Sequence, residues 1–136
     1  MLKQPPDCTV IIPTRNRRET LSTTLEQLLS LPDANFEVIA VDNASTDGTA
    51  ALAGRYRDVR WIRLSENAGA AARNAAAREA RGRILFMLDD DSWPEPGVIA
   101  TSVKRLDACD DLAAIACRVL LAGHDRKHDA GGVPGI

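Results

Sequence analysis

Three adjacent carboxylates, Asp89, Asp90 and Asp91, end an unbroken apolar run in the stretch RILFMLDDDS at 83–92. The apolar residues 84–88 have the length of a strand buried on both faces. Like charges packed at a strand end are costly unless something cationic relieves them. Carboxylate oxygens are hard ligands that suit Mg²⁺ or Mn²⁺, ions that keep open positions for water and substrate phosphates. One reading is therefore a divalent-metal site at the carboxyl end of a central strand. The plain alternative is a solvated acidic turn that caps the next helix.

Two more polar clusters follow apolar runs upstream. Residues 9–12 are β-branched and read as a strand ending at Pro13, with Thr14 and Arg15 after it. Residues 36–41, FEVIAV, read as a second strand that runs into Asp42 and Asn43. Between them, Leu21, Leu25, Leu28 and Leu29 recur at helical spacing over about 17–30. Asn16 stands at the N-cap position of that helix, with Glu19 three residues on, and Pro32 closes it.

Ser45 or Thr46 suits the cap of a short helix over 48–56, and 59–64 reads as a third strand nearer an edge. An alanine-rich helix capped by Asn67 and ended by Gly82 leads into the acidic strand. Pro94 and Pro96 open a helix that reaches Leu106 with Val98, Ile99 and Val103 inward, and 112–121 reads as a fifth strand. The polar, glycine-rich 122–136 reads as a flexible loop or tail. Strands alternating with helices imply an α/β fold, a mainly parallel sheet with helices on both faces. Right-handed crossovers place every strand's carboxyl end on one rim, where open α/β sheets bind ligands. Thr14, Asp42 and the triplet would converge there.

Composition narrows the class. A chain of 136 residues with 45% apolar and 26% charged residues fits one globular domain with its own core. A net charge of −2 argues against a general nucleic-acid or membrane-surface binder, and 4% aromatics argue against a base-stacking platform. No apolar run approaches the ~20 residues that span a bilayer, and MLKQPPDC lacks a signal peptide's apolar core. Cys8, Cys109 and Cys117 are odd in number and lack CxxC spacing, so buried reduced thiols in a cytoplasmic protein are expected.

With these segments in view, the chain resembles a family 2 glycosyltransferase of the Rossmann-like GT-A fold. The resemblance is carried by VIIPTRNR at 10–17, VDNASTDGT at 41–49, ENAGAAARNAAA at 66–77 and LDDDSWPEP at 88–96, in the family's order and spacing. It implies an inverting, metal-dependent hexosyltransferase-type enzyme that moves a sugar from a nucleoside-diphosphate donor to an acceptor hydroxyl. Asp42 matches the acid that accepts a hydrogen bond from a pyrimidine base, so uridine or thymidine donors are favoured, though Asn43 in place of a second acid leaves base preference more open. Thr14 matches a residue lining the nucleoside pocket. Asp89 and Asp91 match the DxD motif, the first near the ribose and the last binding Mn²⁺ or Mg²⁺. Asp90 either assists at the donor through water or is solvated. Arg73 either lies beside the donor or is a solvated residue of the alanine-rich helix.

The resemblance also implies that residues 1–121 are the nucleotide-sugar-binding part of a longer enzyme, truncated before its acceptor half. The catalytic base is then expected beyond Ile136, and the chain alone is expected to be inactive. Apolar sheet surface left uncovered would favour self-association into a homo-oligomer. The alternative is a non-catalytic nucleotide-binding or interaction module of the same architecture. His124 and His128, four apart, suggest either a metal pair or exposed side chains in a glycine-rich tail. Trp93 either walls the sugar site or packs under the acidic loop, and Trp61 is assigned to the core.

Overall fold

The computed structural model describes residues 4–32 and 35–121. Four parallel strands form one sheet in the order β3-β2-β1-β4: β1 Cys8–Thr14, β2 Phe36–Asp42, β3 Val59–Arg63 and β4 Ile84–Met87. Four helices accompany them: α1 Arg18–Leu29, α2 Leu52–Arg55, α3 Ala72–Glu79 and α4 Val98–Ala108. Single 3₁₀ turns, Thr49–Ala51 and Gly69–Ala71, lead into α2 and α3.

The alternation of side chains along a strand divides the core in two. Val10 and Ile12 of β1 and Val38 and Ala40 of β2 face Leu21, Leu25 and Leu28 of α1, Leu52 of α2 and Ile99 of α4. Their neighbours Ile11, Ile39 and Val41 face the other way, onto Ala72 and Ala76 of α3. The two inner strands are covered on both sides, which explains their nearly continuous apolar sequence. Alanines on α3 let that helix lie close to the sheet. The α/β reading with helices on both faces is thus observed.

β4 differs from its expected place. It is an edge strand, and the face that α3 covers on β1 and β2 is bare there: Leu85 and Met87 are 40% and 49% exposed. Only the alternate residues Ile84 and Phe86 pack into the core. The fifth strand expected at 112–121 does not form either. That segment follows α4 without regular structure, leaving Val119 and Leu121 largely exposed. An apolar, β-branched run becomes a strand only where a partner edge and a facing layer receive it. The tail 122–136, with His124 and His128, lies outside the described residues.

Several local signals are satisfied differently from their sequence reading. Asn16 does not cap α1; it adopts φ 51°, and its side-chain oxygen accepts a hydrogen bond from Thr46 N at 2.7 Å. Ahead of α2 the turn is made by Asp47, whose Oδ1 accepts from Thr49 N at 3.0 Å, and by Gly48 at φ 86°. Asn67 does serve the start of the α3 segment, accepting from Gly69 N at 3.0 Å. α4 starts only after Gly97, past both prolines. Trp61 packs against the core as expected, its ring N–H donating to Tyr56 O at 3.3 Å.

Of the three thiols only Cys8 is buried, where loss of hydration, helped by Asp7, pushes it up to about 11; Cys109 and Cys117 are exposed. The expectation of buried cysteines fails for those two: Cys109 caps the C-terminal end of α4, and Cys117 lies in the segment that forms no strand.

Gly82 is not a helix C-cap. α3 ends at Glu79, and Gly82 instead lies against the start of β1, donating its N–H to Thr9 Oγ1 at 2.9 Å. A Cβ there would stand 2.4 Å from Cys8 C and 2.5 Å from Thr9 N. Neither backbone atom can move without disturbing the β1–β4 pairing. Gly82→Ala is therefore expected to destabilise the fold by about 1–3 kcal/mol, read from urea unfolding; an unchanged midpoint would show that the strand start yields.

Candidate donor site at the sheet's carboxyl rim

The order β3-β2-β1-β4 runs from β1 out to β3 and then returns across β1 to β4, so that α1 and α3 cover opposite faces of β1. The cleft at this switch point is where open α/β sheets take ligands. Parallel register sets Thr14 directly beside Asp42, and Asn43 N donates to Thr14 O at 2.9 Å. On the other side Leu88 N donates to Ile11 O at 3.0 Å, which carries the chain past the end of β4 and into the triplet. The three polar clusters therefore meet on one rim.

The central acid is the anchor. Asp90 is only 5% exposed. Thr14 Oγ1 donates to its Oδ2 at 2.8 Å, and Arg17 Nη1 donates to its Oδ1 at 2.7 Å. Thr24 Oγ1, from within α1, donates to its backbone carbonyl at 2.8 Å. Asp90 is thus not solvated; its oxygens are turned into the protein and bind the acidic turn to β1 and α1. The hydrogen bond to Asp90 and the nearby charges of Asp90 and Asp91 hold the Arg17 guanidinium even more firmly protonated than usual.

Its neighbours face outward. The side chains of Asp89 and Asp91 are 71% and 51% exposed. Arg73 Nη2 donates to Asp89 Oδ1 at 2.5 Å, and Arg17 Nη1 donates to Asp91 Oδ2 at 3.2 Å. The charge relief that the triplet demands comes here from two guanidinium groups. Each outer acid keeps one oxygen that no described donor occupies. Among the described residues no set of three or more acids, cysteines or histidines is arranged to enclose an ion. Such a donor set makes no cage. It does fit a hard divalent ion that completes its shell with water and substrate phosphates.

Asp42 is the other notable group. It is 2% exposed, and its Oδ1 accepts from Ser45 N at 2.9 Å. Its Oδ2 is buried with no hydrogen bond, and the nearest cation is Arg63 Nε at 3.7 Å, beyond hydrogen-bonding range. A buried carboxylate oxygen without a donor is costly and marks a place where a ligand's N–H would be welcome. Beside it Asn43 ties the approach to α3 down: its Oδ1 accepts from Ala68 N at 2.8 Å and its Nδ2 donates to Gly69 O at 3.2 Å.

Thr14, Asp42, Arg73, Asp89, Asp90 and Asp91 are therefore all on the rim. Trp93 is not among them; it is 45% exposed and lines a cleft with Gln27, Ser30 and Pro32 at the far end of α1. Sequence reading gave no role to Arg17 or Arg63. The available signal was charge complementarity, since an arginine in the loop after β1 shares a rim with three acids.

The family model described as glycosyl transferase family 2 matches residues 9–128. The chain belongs to glycosyl transferase family 2. This family 2 chain is 34% identical over 113 residues to the succinoglycan biosynthesis protein ExoO of Rhizobium meliloti, covering 81% of the chain and 32% of that protein. Among solved structures it is similar to the mannosyltransferase PcManGT of Pyrobaculum calidifontis in complex with GDP-Man and Mn²⁺, at TM-score 0.64 and 33% identity over 76% of the chain and 33% of that one. It is also similar to residues 1–349 of S. aureus TarS in complex with UDP-GlcNAc, at TM-score 0.60 and 26% identity over 75% of the chain and 31% of that one. The fold is that of GT-A enzymes, and the chain spans about a third of the length of these relatives.

The Thr14–Asp90 bond is the simplest link to test. Thr14→Val keeps the shape but strips a buried carboxylate of a donor, and should cost about 1–3 kcal/mol of stability by denaturant titration. A wild-type midpoint would mean that Arg17 alone suffices.

Proposed function

We propose that this chain is the donor-binding part of an inverting, metal-dependent glycosyltransferase of the hexosyltransferase type. It would use a nucleoside-diphosphate sugar, with uridine or thymidine favoured. The observation that carries the reading is the orphaned, buried Oδ2 of Asp42 on the same rim as the exposed acids Asp89 and Asp91. An ionised carboxylate only accepts hydrogen bonds, so it suits a base N–H, in this reading the imide N–H of uracil or thymine. Thr14, beside Asp42 in register, would line the nucleoside pocket.

Asp91 would hold Mn²⁺ or Mg²⁺, with Asp89 next to it near the ribose. Bound there, the ion supplies Lewis-acid neutralisation of the diphosphate. Arg73 reaches the same place from α3, and a guanidinium pairs well with phosphate oxygens. Asp90 acts from behind, by fixing the turn on which its neighbours stand. In the intact enzyme the acceptor oxygen attacks the anomeric carbon as the bond from that carbon to the diphosphate oxygen breaks, and the acceptor proton passes to a base. No described residue is assigned as that base. Use of a divalent ion agrees with the Mn²⁺ bound in the mannosyltransferase to which the chain is similar.

Calorimetry separates the two acids. Asp42→Asn is expected to weaken uridine-diphosphate binding by about 1–3 kcal/mol while leaving its Mn²⁺ dependence intact. Tighter binding of guanosine diphosphate by the unaltered chain would exclude the pyrimidine assignment. Asp91→Ala is expected to remove the Mn²⁺-dependent part of nucleotide affinity; a full metal response in that variant would place the ion elsewhere.

A further inference from the structure

Arg17 stands at the junction of the two carboxylates that behave differently. One nitrogen, Nη1, donates to Asp90 Oδ1 at 2.7 Å and to Asp91 Oδ2 at 3.2 Å. The first acid is buried and cannot turn away, since Thr14 holds its other oxygen and Thr24 its carbonyl. The second is half exposed, and its bond to Arg17 is the longer of the two. The Arg17 side chain is itself 49% exposed. Among the described residues Arg73, at the other end of the triplet, reaches only Asp89 and has no buried acid to anchor it.

We infer that Arg17 is a positioning residue: the resident counter-ion of the acidic triplet, which yields Asp91 to a divalent ion while remaining anchored on Asp90. The inference rests on the metal assignment to Asp91 made above. A guanidinium and a divalent ion compete for the same carboxylate and repel each other across it. Exchange is cheap for Arg17, because its stronger, charge-assisted bond to a buried partner is kept. Without the ion, Arg17 holds Asp91 beside Asp90 and prevents the like charges from pushing the turn open. With the ion in place, its positive charge stays at the rim, on the side where a diphosphate is to be received.

A second cation next to a metal site lowers its affinity, and removing it should raise that affinity. Arg17→Gln is therefore expected to bind Mn²⁺ alone about tenfold more tightly, the effect of one nearby unit charge at a partly hydrated site. Free Mn²⁺ followed by electron paramagnetic resonance gives this directly. The variant should also melt at a lower temperature without metal, and Mn²⁺ should raise its melting temperature by more than it raises that of the unaltered chain. Arg17→Lys, which keeps the charge, should return the affinity most of the way.

A folded Arg17→Gln chain with unchanged or weaker Mn²⁺ affinity overturns the inference and leaves Arg17 as a clamp of the turn only. Should that variant fail to fold, the unaltered chain carries the test. With arginine side chains labelled by ¹⁵N, Mg²⁺ should shift the Arg17 resonance and leave that of Arg83 in place. An unmoved Arg17 signal at saturating Mg²⁺ overturns the inference. If Mn²⁺ binding is lost in Asp91→Ala yet unchanged in Arg17→Gln, only Arg17's role falls. If the unaltered chain binds no Mn²⁺ with or without uridine diphosphate, the metal assignment falls with it.

Discussion

A carboxylate that is 5% exposed is tolerated inside a fold only where donors meet it: Asp90's side-chain oxygens are met by Thr14 at the end of β1 and Arg17 in the loop that follows, and its backbone carbonyl by Thr24 within α1. The last strand of the sheet, the first strand and the first helix are thereby joined at one residue. Because Asp90 is fixed inward, Asp89 and Asp91 are left on the surface, available to a ligand. The middle acid makes the outer two usable. Removing its partners would loosen the turn and the sheet's edge together.

The sheet supplies the rest of the geometry. Seven residue pairs in parallel register bind β1 to β2, and the last of them sets Thr14 beside Asp42. With both inner strands covered on two faces, their carboxyl ends are held rigidly, as a preorganised site requires. Arg17, Arg63 and Arg73 approach from three different segments, so that each rim acid has a cation near it. The second oxygen of Asp42 is nonetheless buried without a hydrogen bond, Arg63 Nε standing 3.7 Å away, and that deficit is what supports the proposed ligand contact there. Similarity to enzymes solved with GDP-Man and with UDP-GlcNAc agrees with the proposed nucleotide-sugar rim.

At the other edge the described residues leave work unfinished. Leu85 and Met87 of β4 are exposed on the face that α3 covers elsewhere, and the apolar segment 112–121 is not paired with β4. The chain spans about a third of its relatives' length. Among the described residues no helix is long and apolar enough to cross a membrane.

Sequence alone determined the parts of this protein that depend on local order. The alternation of strands and helices, the convergence of Thr14, Asp42 and the triplet on one rim, and the family itself were all legible, because hydrophobic period and motif spacing are properties of neighbouring residues, whereas the run 84–88 read as a central strand and lies at the edge. Tertiary structure decided what those residues do for one another. Asp89, Asp90 and Asp91 are the same residue three times over, and only the fold makes the middle one a buried anchor and leaves the outer two on the surface. Asn16 had the type and spacing of a helix cap, yet a backbone N–H thirty positions away, at Thr46, was the partner it found. Residues 112–121 had the composition of a strand but do not pair with the open edge of β4, and strand formation is settled by surroundings that the sequence of the strand does not contain. Arg17 looked like one loop arginine among several; its role comes from meeting, across 73 positions, a carboxylate that the core had already enclosed.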